Sequence, residues 1–281
     1  RSSVFPLHPF AFSYSDGLFA KACNALGINI HGLPQARNSK SYAGRSQCQA
    51  CGTCHVCPTG AKASVDLTHI PQALATGNAQ VLTDVTVLRL EVDGSNNVSA
   101  LIYAGHDRLE RRLSAKIYVL AAGDVEITRL LLLSESKAFP NGLANGSGMV
   151  GKYFMSHPTL DITGHIKGEV YPYRIGFSTA MTRQFAIDRD RARDGSFFLE
   201  FVNSAGQTPA GMAVSSGKWG EALREQVQKE FGHTLGIRVY CEQLPDRNNS
   251  VSLNRQKEDY FGNPVPHITY NVSHYERETL E

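Results

Sequence analysis

The chain has 281 residues, enough to bury a sizeable core in one large or two small domains. Its 42% hydrophobic and 19% charged content is that of an ordinary globular protein and excludes a disordered or fibrous one. A net charge of +2 gives no electrostatic case for nucleic acid or an anionic membrane, and no apolar run approaches the length of a bilayer span.

The opening Arg1-Ser2-Ser3-Val4 carries no signal-peptide pattern, so the expected location is the cytoplasm or periplasm; it also lacks a methionine, so further residues are expected upstream. The first predicted element is a helix over 13–26. Ser15 or Asp16 is the expected cap, Leu18, Phe19, Cys23 and Leu26 share a face, and Gly27 ends it. A loop over 28–47, rich in Gly, Asn, Ser and Arg, runs into a cysteine-rich segment over 46–62. A short helix is expected over 68–76, with Pro71 in its first turn and Gly77 beyond its end. Residues 81–92 are β-rich. Asp93-Gly94 and Asn96-Asn97 turn the chain into a second strand over 98–104, and a third is expected over 108–113.

Residues 116–123, Lys-Ile-Tyr-Val-Leu-Ala-Ala-Gly, are nearly all apolar, the pattern of a strand covered on both faces. Gly123 ends it, and Asp124 is the expected cap of a helix over Val125–Ser134. Strand, small residues, glycine and helix in that order also occur at the edge of a dinucleotide site, although a plain buried strand with a packing glycine gives the same pattern. The Gly/Asn-rich stretch 141–151 divides the chain into expected domains 1–150 and 151–281. Beyond it, strands are predicted over 159–170, 196–203, 234–243, 250–254 and 265–270, with a helix over 218–231 that places Trp219, Leu223 and Val227 on one face. The second half therefore reads as α+β with a mostly antiparallel sheet.

Four of the six cysteines, Cys48, Cys51, Cys54 and Cys57, stand three residues apart, and Pro58 follows the last. Such dense sulfur suits soft metals or an iron–sulfur cluster. The spacing between cysteines is two, two and two residues, against two, two and three in a bacterial ferredoxin run. Cys51-Gly52-Thr53-Cys54-His55 also fits a c-type haem attachment pattern, which leaves Cys48 and Cys57 unexplained. Four thiolates satisfy zinc chemically, but structural zinc sites pair two knuckles across a longer gap. Disulfides and a packed loop without metal complete the alternatives. Cys23 and Cys241 stand alone and read as small buried hydrophobes.

Taken together, these segments resemble the glucose–methanol–choline (GMC) flavin oxidoreductases, in particular their bacterial dehydrogenase and cholesterol-oxidase-like branches. The cysteine run with Cys57-Pro58-Thr59-Gly60-Ala61-Lys62 carries the resemblance first. Ile70-Pro71-Gln72-Ala73, Val81-Leu82-Thr83, Val119-Leu120-Ala121-Ala122-Gly123 and Arg129–Ser134 then follow in order. Phe139–Asn145, Val150-Gly151-Lys152, His157-Pro158, Phe261–Pro266 and Tyr275-Glu276-Arg277 continue it.

The resemblance implies part of a Rossmann-like FAD domain joined to a substrate domain, and an enzyme that oxidises the CH-OH group of an alcohol, sugar or sterol. The Gly-x-Gly-x-x-Gly turn and the C-terminal catalytic histidine of that family are not matched, so the chain is expected to be the central part of a longer enzyme, inactive alone and carrying no catalytic residue. By position, Val87 would lie beside the adenine, Ala122 and Gly123 beside the flavin, and Glu126 in the helix that follows. His157 falls near the family's His-Pro segment, where a structural role competes. The implied partners are a small-molecule alcohol and a cytochrome or other electron acceptor, with the cysteine run as a candidate iron–sulfur outlet. The alternative is a non-catalytic iron–sulfur or structural electron-transfer domain.

Overall fold

The computed structural model describes residues 5–170, 178–187, 195–203 and 206–281. Helix α1 (Tyr14–Ala25) is capped by Ser13 rather than by Ser15 or Asp16: the Ser13 side chain accepts the Asp16 N–H while the Asp16 carboxylate accepts the Ser13 N–H. This reciprocal box satisfies two otherwise orphaned donors, which is why Ser13 outcompetes Ser15 as the cap. Strand β1 (His31–Gly32) and helix α2 (His69–Ala75) precede the meander β2 (Thr86–Val92), β3 (Val98–Ala104) and β4 (Glu110–Leu113). The turn between β2 and β3 is closed by the Asp93 carboxylate, which accepts the N–H groups of Ser95 and Asn97.

Helix α3 (Asp124–Leu133) follows. Beyond it come β5 (Thr159–His165), β6 (Ala180–Thr182), α4 (Gln184–Ile187), β7 (Phe197–Val202), α5 (Pro209–Ser216), α6 (Gly220–Glu230), β8 (Thr234–Cys241), β9 (Ser250–Glu258), β10 (Pro264–Thr269) and α7 (His274–Leu280). Helix α5 is additional to the predicted elements. Its signals were present in Thr208, which accepts the Gly211 N–H, and in Pro209 at the first helical position. Trp219, expected inside α6 on the face of Leu223 and Val227, is instead the N-cap residue and 86% exposed.

Contacts divide the chain into two interleaved compact units rather than two consecutive ones. The first comprises Arg1–Ala79, His157–Glu242 and His274–Glu281. It contains an antiparallel sheet in the order β1-β6-β7-β8-β5. Phe19 and Cys23 of α1 pack on this sheet against Ala180 and Phe201, with Ile28, Ile30, Leu235 and Ile237 around them. The Phe19 and Phe201 rings stack with centroids 4.6 Å apart. Burying each aromatic stabilises the fold by about 1.5–3 kcal/mol.

The second unit comprises Gln80–Ser156 and Gln243–Ser273. Helix α3 packs against the β2-β3-β4 meander and the β9-β10 hairpin. Leu88, Leu90, Ala100, Ile102 and Ala104 supply the buried face of the meander at strand spacing. At the far end of α3 the Ser134 hydroxyl accepts the Leu90 N–H and donates to the Leu130 carbonyl, tying helix to strand.

Candidate functional site

The second unit presents its chemistry at the start of α3. Gly123 is the N-cap, with φ 80° and ψ 163°, a positive-φ conformation, and no side chain caps the helix. This corrects the expected cap at Asp124, which is the first helical residue. A Cβ placed on Gly123 would meet no atom within 4 Å, so the backbone faces open space. Only glycine takes this conformation without cost, and the missing side chain lets another group approach the main chain closely. Ala122 beside it is exposed.

The preceding residues also depart from expectation. Residues 116–123 belong to no ladder among the described residues, and Ile117 and Val119 are 80% and 83% exposed. The apolar pattern is that of a doubly covered strand. A strand exists only through its neighbours, however, and no described strand pairs here.

A cleft of about 230 Å³ adjoins the first turns of α3, lined by Asp124 and Thr128 and by the segment Gly151–Met155. Gly151 and Tyr153 both hold positive φ, 81° and 59°. Such a conformation is strained for a bulky residue and tends to persist where surrounding structure enforces it. Here Gly151 accepts the Val251 N–H at 2.8 Å, and Lys152 pairs with Ser250. These lining residues were visible in sequence only as the Val-Gly-Lys segment of the resemblance; glycine before a polar residue gives no periodic signal.

The sequence-derived candidates distribute as follows. Ala122 and Gly123 precede α3, and Glu126 lies in its first turn. Glu126 is exposed, and its carboxylate accepts from Arg129 at 3.4 Å. Arg129 is more firmly engaged by Asp259 at 2.5 Å and by the Pro264 carbonyl at 2.9 Å. Val87 lies on β2, the strand packed against α3, and pairs with Tyr103.

In the first unit, the cysteine run is a loop without regular structure. Three of its sulfurs are hydrogen-bonded. Cys48 Sγ accepts from the Arg37 guanidinium at 3.6 Å and the Ala50 N–H at 3.4 Å. Cys51 Sγ meets the Thr53 hydroxyl at 3.0 Å. Cys57 Sγ accepts the Lys62 N–H at 3.4 Å and meets the Thr59 hydroxyl at 3.7 Å.

Such bonds favour the thiolate. The Lys62 N–H and then the Thr59 hydroxyl lower the Cys57 pKa to about 7, and Thr53 lowers that of Cys51. Burial does the opposite at Cys241, pushed up to about 11. Among the described residues, no three His, Cys, Asp or Glu side chains form a group that could hold a metal ion. The sequence spacing is therefore the feature that points to a cluster, and the loop as it stands does not gather the sulfurs. His157, also in the first unit, is exposed and meets the Tyr240 ring edge-on at 6.5 Å.

A family model described as GMC oxidoreductase matches residues 11–159. The fructose dehydrogenase large subunit of Gluconobacter japonicus is 31% identical over 99% of this chain and 51% of its own length. The 2-methyl-1,2-propanediol dehydrogenase of Mycolicibacterium austroafricanum is 27% identical over 90% of the chain and 47% of its own length. The gluconate 2-dehydrogenase flavoprotein of Pantoea cypripedii is 25% identical over 96% and 47%. The chain thus spans about half the length of the curated relatives it matches. Pyridoxine 4-oxidase from Mesorbium loti shares the fold with a TM-score of 0.54 at 17% identity, covering 90% of this chain and 43% of that one.

Proposed function

The chain belongs to the GMC oxidoreductase family, and from that premise we propose that it serves a flavin-dependent oxidoreductase acting on the CH-OH group of a small alcohol or sugar. The observation that carries the reading is the open, positive-φ turn at Gly123, which lies inside the family match and leaves the backbone accessible. When bound, FAD supplies the acceptor for the hydride leaving the carbinol carbon. The residues proposed to hold it are Ala122 and Gly123, by backbone approach, with Val87 on the neighbouring strand and Glu126 further along α3. The exposed apolar residues Ile117 and Val119 support the same reading, since they have the pattern of a sheet that further strands cover. Relatives named as fructose, propanediol and gluconate dehydrogenases support a polyol or sugar-derived substrate, and one named as a large subunit supports an electron-accepting partner subunit, here proposed to be a cytochrome.

The test uses the intact protein. It is expected to purify with flavin and to reduce a dye acceptor when alcohols or sugars are supplied. Gly123→Val is expected to lose flavin while keeping the fold. Intact protein that carries no flavin and takes up none would end the proposal.

The cysteine run is proposed as an accessory outlet only on the strength of its spacing and its sulfur-directed donors. A cluster would rest on Cys48, Cys51, Cys54 and Cys57, and the N–H groups that already point at sulfur would stabilise the ligating thiolates. Iron and acid-labile sulfide in anaerobically purified protein decide that point.

A further inference from the structure

A cavity of about 540 Å³ in the first unit opens between residues 5–10 and residues 31–45. Its volume lies within the range of small-molecule sites. Phe5, Leu7, Phe10 and Leu33 give it an apolar wall, and Arg37 and Arg45 also line it. No Asp or Glu is among the lining residues. Arg37 is only 7% exposed, and its guanidinium lies 4.6 Å from the Phe10 ring centroid. This stacking, together with a bond from Nε to Gln35 Oε1 at 2.6 Å, fixes its orientation.

Arg45 is held differently. It donates to the carbonyls of Gly60 and Ala61 at 3.4 and 3.1 Å and to Asn38 Oδ1 at 3.2 Å. All three acceptors are neutral. They orient the guanidinium without cancelling its charge, and an apolar wall strengthens the field that remains. A neutral polyol would find few donors and acceptors in such a cavity. A hydrocarbon would waste the positive charge. The complementary ligand has an apolar body and a negative head.

We propose that this cavity binds a small organic anion, an aliphatic or aromatic carboxylate or sulfonate. The head lies toward Arg45, and the body lies against Phe5, Leu7, Phe10 and Leu33. The proposal stands apart from the flavin reading, because none of its residues belongs to the Gly123 turn.

The probe is 8-anilinonaphthalene-1-sulfonate, titrated into the intact protein and followed by fluorescence. Saturable, blue-shifted emission is expected, displaced by decanoate but not by decanol at equal concentration. His8 lines the cavity, is exposed, and bonds Ser39 through its backbone carbonyl rather than its ring. His8→Glu therefore adds a negative charge without removing a structural bond and is expected to weaken the probe about tenfold. Arg45→Gln should weaken it similarly, with partial recovery in Arg45→Lys. Because Arg45→Gln also removes loop contacts, His8→Glu is the deciding variant. Absence of saturable binding, equal displacement by decanol, or unchanged affinity in His8→Glu would each overturn the proposal.

Discussion

Replacing Gly151 by alanine tests how tightly α3 and the β9-β10 hairpin are joined. Gly151 has φ 81°, a region that costs an L-residue about 1–2 kcal/mol. The new Cβ would also drive into the Val251 carbonyl oxygen and sit 3.0 Å from Thr128 Cγ2 on α3. Neither neighbour is the free end of a long side chain, so the backbone must move. Overpacking of this kind costs about 1–3 kcal/mol. The shift also weakens the 2.8 Å bond from the Val251 N–H to the Gly151 carbonyl, worth about 1 kcal/mol. The expected total is about 3–6 kcal/mol. Gly123→Ala is the control: its φ is 80° and ψ 163°, a region essentially reserved for glycine, but its Cβ meets nothing within 4 Å, so about 1–3 kcal/mol is expected. Urea denaturation of both variants in flavin-free protein reads the difference. If Gly151→Ala costs no more than Gly123→Ala, the packing between residue 151 and strand β9 has been misjudged.

Two further outcomes follow from the charge arrangement. Partial burial of Asp259 pushes its pKa up, but the Arg129 guanidinium and the N–H groups of Asn263 and Phe261 outweigh that and hold it below the ordinary value. A depressed carboxylate stabilises the fold above its unfolded pKa of about 3.9 and loses that contribution as pH falls through its folded value. Asp259→Ala is therefore expected to cost about 2–3 kcal/mol at neutral pH and progressively less below about pH 4, measured by denaturation at several pH values; a pH-independent cost would contradict the ion pair. In iron-free protein, iodoacetamide should label Cys57 with a midpoint near pH 7, well below buried Cys241, pushed to about 11. Peptide mass spectrometry would refute this if the two titrate together.

Much of the local structure was legible in residue order. The Asp93–Asn97 turn, the apolar alternation of β3 and the stop at Gly27 are encoded within a few residues, because turn chemistry and strand period are local properties. Ser13 as the cap of α1 was legible too, but the pair Ser13/Asp16 had to be preferred over the nearer Ser15. Trp219 shows the limit of periodicity: it fits the apolar face of α6, yet it stands outside the helix. Helical spacing says which residues share a face, not where the helix begins.

The sequence by itself determined the family, the mostly antiparallel sheet of the second half and the helix that follows Gly123. Each rests on short patterns whose physical meaning does not depend on distant contacts. Tertiary structure decided the rest. It showed the apolar residues 116–123 without a strand partner among the described residues, the sulfurs of Cys48, Cys51 and Cys57 bonded to separate neighbours, and a cationic apolar cavity assembled from residues 5–10 and 31–45. The reason is the same in all three cases. Strand pairing, ligand convergence and cavity shape are relations between segments, and no single segment's composition carries them.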